Sequence, residues 1–197
     1  MMMLNRFCTF GLAMILTATT SSMVVANAAE VADAENANAE AKTVDVFGEG
    51  ELKVPSQFQA TKPQSGIIEH EFVAKSTENE KATARVTFMA AGGDIQANIG
   101  RWKGQFSGGA ADAQKSEEMK VGKWNVHIVD VSGKFQERMG GGPFFGGKTV
   151  ERENYAMTGA IIVHPEGRKY FVKMVGPAEV VSENRAAFVQ MIKSINK

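Results

Sequence analysis

Alternating apolar and polar residues indicate that most of the chain beyond residue 50 forms β-strands. In the segment IIEHEFVA, Ile68, Phe72 and Ala74 share one face with His70, whereas the neighbouring glutamates point the other way. This two-residue period is typical of a strand with one face against a core. The same reasoning, with turns rich in glycine, proline and polar residues between the segments, predicts strands at residues 51–54, 67–74, 82–89, 114–121, 124–131, 155–163 and 169–175.

Two segments show the longer period of a helix, in which apolar residues three or four positions apart form one stripe against a core. The first begins at Asp94, a residue type that favours the N-cap position. Its stripe comprises Ile95, Ile99, Trp102 and Phe106. The second begins at Pro177, which suits the first turn of a helix. Its core-facing positions are Val181, Asn184, Phe188, Met191 or Ile192, and Ile195.

The order of these elements predicts the fold class. Three strands precede the first helix, four strands follow it, and the second helix comes last. Because consecutive strands are joined by short turns, we expect an α+β domain in which an antiparallel sheet of about six or seven strands carries two main helices. Residues 44–197 form this single domain in the prediction.

The amino-terminal residues have the three-part pattern of a secretion signal. Arg6 supplies a positive charge, an apolar run of ten residues follows from Phe7 to Leu16, and small residues lead to Ala26-Asn27-Ala28. This run is about half as long as a membrane-spanning helix, which favours a cleaved signal over a retained anchor. We expect residues 1–28 to be removed by cleavage between Ala28 and Ala29, with the bond after Ala26 as the alternative. The mature protein would then be periplasmic or secreted, with no transmembrane segment.

Charge is distributed unevenly along the predicted mature chain. Residues 29–51 carry seven Asp/Glu and one lysine, whereas 20 Lys/Arg and 15 Asp/Glu follow from residue 52 onward. The alanine-rich, acidic residues 29–43 are predicted to be a flexible tail, because they offer little apolar surface to bury. A basic domain suits an anionic partner, but acidic residues directly after a signal are also expected because positive charge there resists export. Scattered Lys/Arg without interleaved aromatic residues argue against nucleic acid as the partner.

The residue types that carry common catalytic or metal chemistry are sparse. Cys8 is the only cysteine and lies in the predicted signal, so the mature chain would have neither a disulfide nor a thiolate ligand. His70, His127 and His164 lie in or beside predicted strands, but no pair has the close spacing of zinc ligands. Partly buried structural imidazoles are therefore favoured. Nucleophile-elbow and metalloprotease motifs are absent from the sequence, and no catalytic residue, metal site or cofactor is assigned.

One polar row on the first predicted helix is a candidate binding site. Asn98, Arg101 and Gln105 follow one another at three- and four-residue spacing beside the apolar stripe. Such a row at the rim of a core suits a carboxylate, phosphate or sugar, with Arg101 as the charged anchor. The alternative is that these side chains bond backbone groups of nearby loops, as polar residues at the edge of a core commonly do.

A glycine-rich segment is the second candidate. Residues 139–147 contain five glycines and a proline, and Phe144 and Phe145 lie side by side within them. We predict that residues 133–147 form a loop. Adjacent phenylalanines in such a loop are suited to docking on a partner, or they fold back as a lid over the core.

Two phrases of the sequence resemble a known group of proteins. They are NIGRWKGQF, in the first helix, and YFVKMVGP, which leads into a helix that ends with MIKSI. Together they are similar to exported bacterial proteins and, more distantly, to the fold shared by PsbP and Mog1. This resemblance extends over roughly residues 52–197 and implies an antiparallel sheet between helices. Members of that fold act as binding or assembly factors, and no functional residue of theirs maps onto this chain.

These observations favour an exported, non-enzymatic domain that binds a partner protein or a small ligand in the cell envelope. The alternative is an envelope hydrolase with Arg101 and a histidine in its site. A domain that binds an anionic surface through its basic residues is a third hypothesis.

Overall fold

Ten strands and two helices form the part of the chain that the computed structural model describes, residues 42–110, 112–139 and 148–195. All seven predicted strands and both predicted helices are found there. The strands are β1 (Thr43–Val46), β2 (Gly50–Lys53), β3 (Phe58–Thr61), β4 (His70–Lys75), β5 (Thr83–Ala91), β6 (Phe106–Ser107), β7 (Gln114–Val121), β8 (Trp124–Met139), β9 (Lys148–Val163) and β10 (Lys169–Pro177). The helices are α1 (Ile95–Lys103) and α2 (Ala178–Lys193). The predicted signal, residues 29–41 of the predicted tail, and the pair Phe144-Phe145 lie outside the described residues.

Eight of the strands form one antiparallel sheet, and the predicted α+β class is confirmed. Its order is β3-β4-β5-β10-β9-β8, and β8 pairs in turn with β7 along its first half and with β6 further on. Strands β1 and β2 make a separate hairpin. The sheet has eight strands rather than the six or seven predicted. The strand predicted at residues 51–54 belongs to the separate hairpin, and β3 and the two-residue β6 were missed because they are too short to show a period in the sequence.

Helix α2 covers one face of this sheet. Tyr170, Val172 and Met174 of β10 point toward it and are almost completely buried, and the β1–β2 hairpin packs against the same core. All the core-facing positions predicted for this helix are buried. Pro177 occupies the N-cap position rather than the first turn, one residue earlier than expected.

Helix α1 lies on the opposite face and is shorter than its apolar stripe predicts. The Oδ1 of Asp94 accepts a hydrogen bond from the backbone N–H of Ala97 at 2.8 Å, which confirms the N-cap. The helix ends at Lys103, and Phe106 belongs to β6, where it pairs with Phe135. Glycine at position 104 favours this early end because it is among the poorest helix formers.

Trp102 packs α1 against the sheet at a position where β9 has a glycine, Gly159, and therefore no side chain. A Cβ at residue 159 on β9 would lie 2.7 Å from Cζ3 of the indole, well inside van der Waals contact. The ring also meets Phe171 edge to face, with 5.2 Å between the centroids. The indole is therefore packed directly on the sheet backbone.

The loop predicted at residues 133–147 is wrong for its first half. Strand β8 continues through Met139 and pairs with the first residues of β9, beyond the point where β10 ends opposite Tyr155. Apart from Phe135, the described side chains of this extension are polar. Ion pairs link it to β9, such as Lys134 with Glu153 at 2.7 Å and Arg152 with Glu137 at 2.9 Å. A strand that buries little apolar area lacks the hydrophobic alternation on which the sequence argument depends.

Neither described helix has both the length and the apolar character needed to cross a bilayer.

Candidate functional site

The sheet groove is a concave region of about 470 Å³ on the face that carries α1. It exists because a helix of nine residues covers only part of that face. Its floor is formed by Glu71, Val73, Thr83, Arg85, Thr87, Lys173 and Val175, and its walls include Thr61, Gln64, Gln105, Phe135, Glu137 and Tyr155. A volume of this size is within the range of small-molecule binding sites.

Strand register places the floor residues side by side. Lys173 on β10 lies opposite Thr87 on β5, and two residues further along β10 Val175 lies opposite Arg85. Arg85 in turn lies opposite Val73 on β4. Because alternate residues of a strand share a face, these side chains all point toward the α1 side of the sheet.

An ion pair between Arg85 and Glu71 forms one part of the floor. The Nε and Nη2 atoms of Arg85 donate to the two carboxylate oxygens of Glu71 at 2.7 and 2.9 Å, and the backbone N–H of Gln64 donates to the same carboxylate at 3.0 Å. The guanidinium of Arg85 holds the pKa of the Glu71 carboxyl below its ordinary value, and the Gln64 bond adds to this effect. Glu71 is therefore a buried anion whose charge is already matched.

Lys173 is the chemically unusual residue of the groove. Its Nζ lies 3.4 Å from Oε1 of Gln105 and 5.3 Å from the centroid of the Trp102 indole. No carboxylate of the described residues pairs with it. Burial, reinforced by the positive charges of Arg101 and Arg85, lowers the pKa of the Lys173 ammonium to about 8. A partly buried amine with a depressed pKa in a concave site is typical of functional positions.

An aromatic wall closes one side of the groove. The rings of Phe135 and Tyr155 are nearly parallel with 6.0 Å between their centroids, and Phe135 also packs on Phe106 at 4.9 Å. Phe135 belongs to the part of β8 that sequence reasoning assigned to a loop. The groove thus joins an apolar wall to a cationic floor.

The structure places the three residues of the predicted polar row in different surroundings. The Nδ2 of Asn98 donates to the backbone carbonyls of Gly92 and Asp94 at 3.1 and 2.8 Å, which ties the start of α1 together. The exposed Arg101 donates from Nη2 to Oδ1 of Asn98 at 2.6 Å. Gln105, just beyond α1, is the member of the row that lines the groove, where it contacts Lys173.

Sequence reasoning missed Lys173, although the sequence contains a signal for it. In the phrase YFVKMV all residues except the lysine are apolar or aromatic. Phe171 and Val175 share the sheet face of the lysine. Lysine is rarely buried without a partner. A single lysine inside a strand that is apolar on both faces was therefore the available indication of a special position.

The three histidines occupy separate places. His70 is exposed, contrary to the expected partial burial, because the strand begins there and its side chain lies beyond the core. His127 is nearly buried, with Nδ1 3.8 Å from an oxygen of Glu118. Among the described residues, no hydrogen bond or ion pair joins any histidine to Arg101.

His164 belongs to a polar cluster at the turns that join β1 to β2 and β9 to β10. Its Nε2 lies 2.8 Å from Oε2 of Glu49, and its Nδ1 lies 3.7 Å from Oε2 of Glu166. These three side chains offer ligand atoms within 4.8 Å of one another. However, Lys123 and Arg168 also bind Glu49 and hold the pKa of its carboxyl down to about 2. Because two cations already neutralise this carboxylate, the cluster is better explained as a clamp that joins these two turns to the turn between β7 and β8, in which Lys123 lies.

A second concavity of about 600 Å³ lies beside α2, and its lining includes Arg185 of α2 and Asp130 of β8. Its charges are matched. The guanidinium of Arg185 donates to both oxygens of Asp130, with a closest distance of 2.6 Å, and Thr158 donates to the same carboxylate at 2.8 Å. The sheet groove is smaller but contains the unpaired cation, and we therefore take it as the candidate site.

Comparison with known proteins gives matches of fold only. No protein-family model matches the chain. No curated protein matches it in sequence. Among solved structures, it resembles cyanobacterial PsbP (CyanoP) from Synechocystis sp. PCC 6803, with a TM-score of 0.44 and 7% identity over 78% of this chain and 89% of that one. It also resembles LpqN, a protein involved in cell envelope biogenesis of Mycobacterium tuberculosis, with a TM-score of 0.42 and 14% identity over 79% of this chain and 86% of that one. The first of these two proteins is a PsbP, from the group whose fold the sequence resembles.

Proposed function

We propose that this chain is an exported, non-enzymatic binding domain and that the sheet groove is its ligand site. The observation that carries the proposal is the Lys173 amine, which lies at the floor of a concave region without a carboxylate partner among the described residues. An unmatched cation there costs folding free energy. Its presence is explained if the position serves a ligand rather than stability.

The contacts of the groove favour binding over catalysis. The side chains within hydrogen-bond reach of Lys173 Nζ are limited to Gln105 among the described residues, so no second acid or base is positioned to exchange a proton with the amine. Catalysis by proton transfer requires such a group at about 2.6–3.2 Å from the reacting atom or through one water. A small ligand that binds through one charge and an apolar surface needs no such arrangement.

A fragment screen by two-dimensional amide NMR tests the groove as the ligand site. Compounds that bind should shift amides of β4, β5 and β10. In the variant Val73→Trp an indole fills the groove, and binding should be lost. The matched control is Ser182→Trp, which places an indole in the second concavity beside α2 and should leave binding intact. The proposal would be overturned by ligands that still bind the Val73→Trp variant but no longer bind the Ser182→Trp variant. It would also be overturned if no compound bound in the groove.

Export is part of the same proposal. It is supported by the charge, apolar run and small residues that lead to Ala28. We expect the exported protein to begin at Ala29, as determined by amino-terminal sequencing of material recovered from outside the cytoplasm. A chain that retains residues 1–28 would contradict this part of the proposal and leave the groove assignment unaffected.

A further inference from the structure

With Arg152 beside it included, the sheet groove carries one excess positive charge. Glu71 is paired with Arg85, and Glu137 is paired with Arg152 at 2.9 Å. Lys173 has no such partner among the described side chains. Arg101 lies outside the lining of the groove, and its bond is to the neutral amide of Asn98. A ligand that carries one negative charge would restore the balance.

We propose that the sheet groove binds organic monoanions in which a carboxylate is joined to an apolar body, with the carboxylate at Lys173 and the body against the aromatic wall. This inference rests on the proposed function and adds the chemical class of the ligand.

The floor of the groove has hydrogen-bond donors for a carboxylate. Lys173 has three N–H donors, and its single polar contact within the described part of the chain is the one to Gln105 at 3.4 Å. The Nε and Nη2 atoms of Arg85 are committed to Glu71, and its Nη1 has no bond among the described residues. Arg85 lies diagonally across from Lys173 on the neighbouring strand, a separation of about 7–8 Å between backbone positions that long side chains bridge. A carboxylate between them would accept from both.

The positions of the apolar residues define the rest of the ligand. Val175 follows Lys173 on the same face, and Tyr155 on β9 lies opposite Pro177, four residues beyond Lys173. Four residues of strand span roughly 13 Å, so the backbone positions of Lys173 and of the aromatic wall are separated by about the length of a medium-chain fatty acid. Phe135 and Val175 offer apolar surface along this path. An inorganic anion would leave that surface uncovered, and a dianion would carry a charge that nothing matches.

Octanoate is a suitable probe because it joins a carboxylate to an apolar chain. Two controls separate these parts: 1-octanol has an eight-carbon chain without the charge, and acetate has the carboxylate without the chain. Affinities of the full mature chain for these three compounds and for inorganic phosphate are measured by NMR titration at pH 7. The variant Lys173→Met removes the charge but keeps the length of the side chain. Lys169→Met is the matched control, since Lys169 lies on the same strand and face but bonds the backbone of the turn at Gly167.

We expect octanoate to bind the wild-type protein at least about tenfold more tightly than 1-octanol or acetate, and Lys173→Met to remove this difference while Lys169→Met keeps it. Equal binding of octanoate and 1-octanol, unaffected by Lys173→Met, would overturn the inference but leave the groove a ligand site. Tighter binding of phosphate than of octanoate would also overturn it, as would no binding of octanoate at millimolar concentration.

Discussion

Trp102→Ala is expected to lower the free energy of unfolding by about 3–5 kcal/mol, the usual cost of removing a large buried aromatic side chain. The indole is 3% exposed and fills the space above Gly159. A helix of nine residues is too short to be stable by itself, so α1 depends on this contact. Thermal or denaturant unfolding measures the loss.

The matched control for this change is Gln96→Ala on the exposed side of the same helix, where a change within about 0.5 kcal/mol is expected. A loss below about 1 kcal/mol for Trp102→Ala would show that the ring is not a core residue. It would then have to be reconsidered as a surface for a ligand, because it lies 5.3 Å from Lys173 Nζ at the edge of the groove.

Lys173→Met is expected to stabilise the protein by about 1–2 kcal/mol at pH 7. The folded protein lowers the pKa of this lysine from 10.5 to about 8, which means that folding disfavours the charged amine. A shift of this size corresponds to at most about 3 kcal/mol, and partial contact of the side chain with solvent reduces it. Methionine has a similar length and needs no counter-charge.

The same change should alter the dependence of stability on pH. Between pH of about 8 and 10.5 the unfolded chain binds a proton at Lys173 that the folded chain has released, so the wild-type stability contributed by this group rises with pH over that interval. This rise should be missing from Lys173→Met and present in Lys169→Met. If the stabilities of the wild-type protein and of Lys173→Met changed in parallel over this pH interval, the assigned environment of the amine would be contradicted.

Much of the fold could be predicted because most elements bury one face. The two-residue period of β4 and β5 and the stripe of α2 follow from contact with the core that Phe72, Val86 and Phe188 share. Elements stabilised in other ways were missed. The extension of β8 is held by ion pairs such as that of Arg152 with Glu137, and β6 pairs through only two residues.

The candidate site was less accessible to sequence reasoning because strand register creates it. Arg85 and Thr87 on β5 are far in the chain from Gln105 and from Lys173. They come together through the pairing of β5 with β10 and the position of α1. The sequence indicated a polar row on α1, of which Gln105 reaches the groove. The pair Phe144-Phe145 stays a prediction, as a docking tip or as a lid.

The most direct measurement of the central claim is the pKa of Lys173 itself, followed by NMR of its side-chain amine with and without octanoate. We predict a value of about 8 in the free protein and a clear rise when octanoate is bound, because a carboxylate beside the amine favours its charged form. A Lys173 pKa that is unchanged at saturating octanoate would show that the anion does not bind at this amine and would contradict the account.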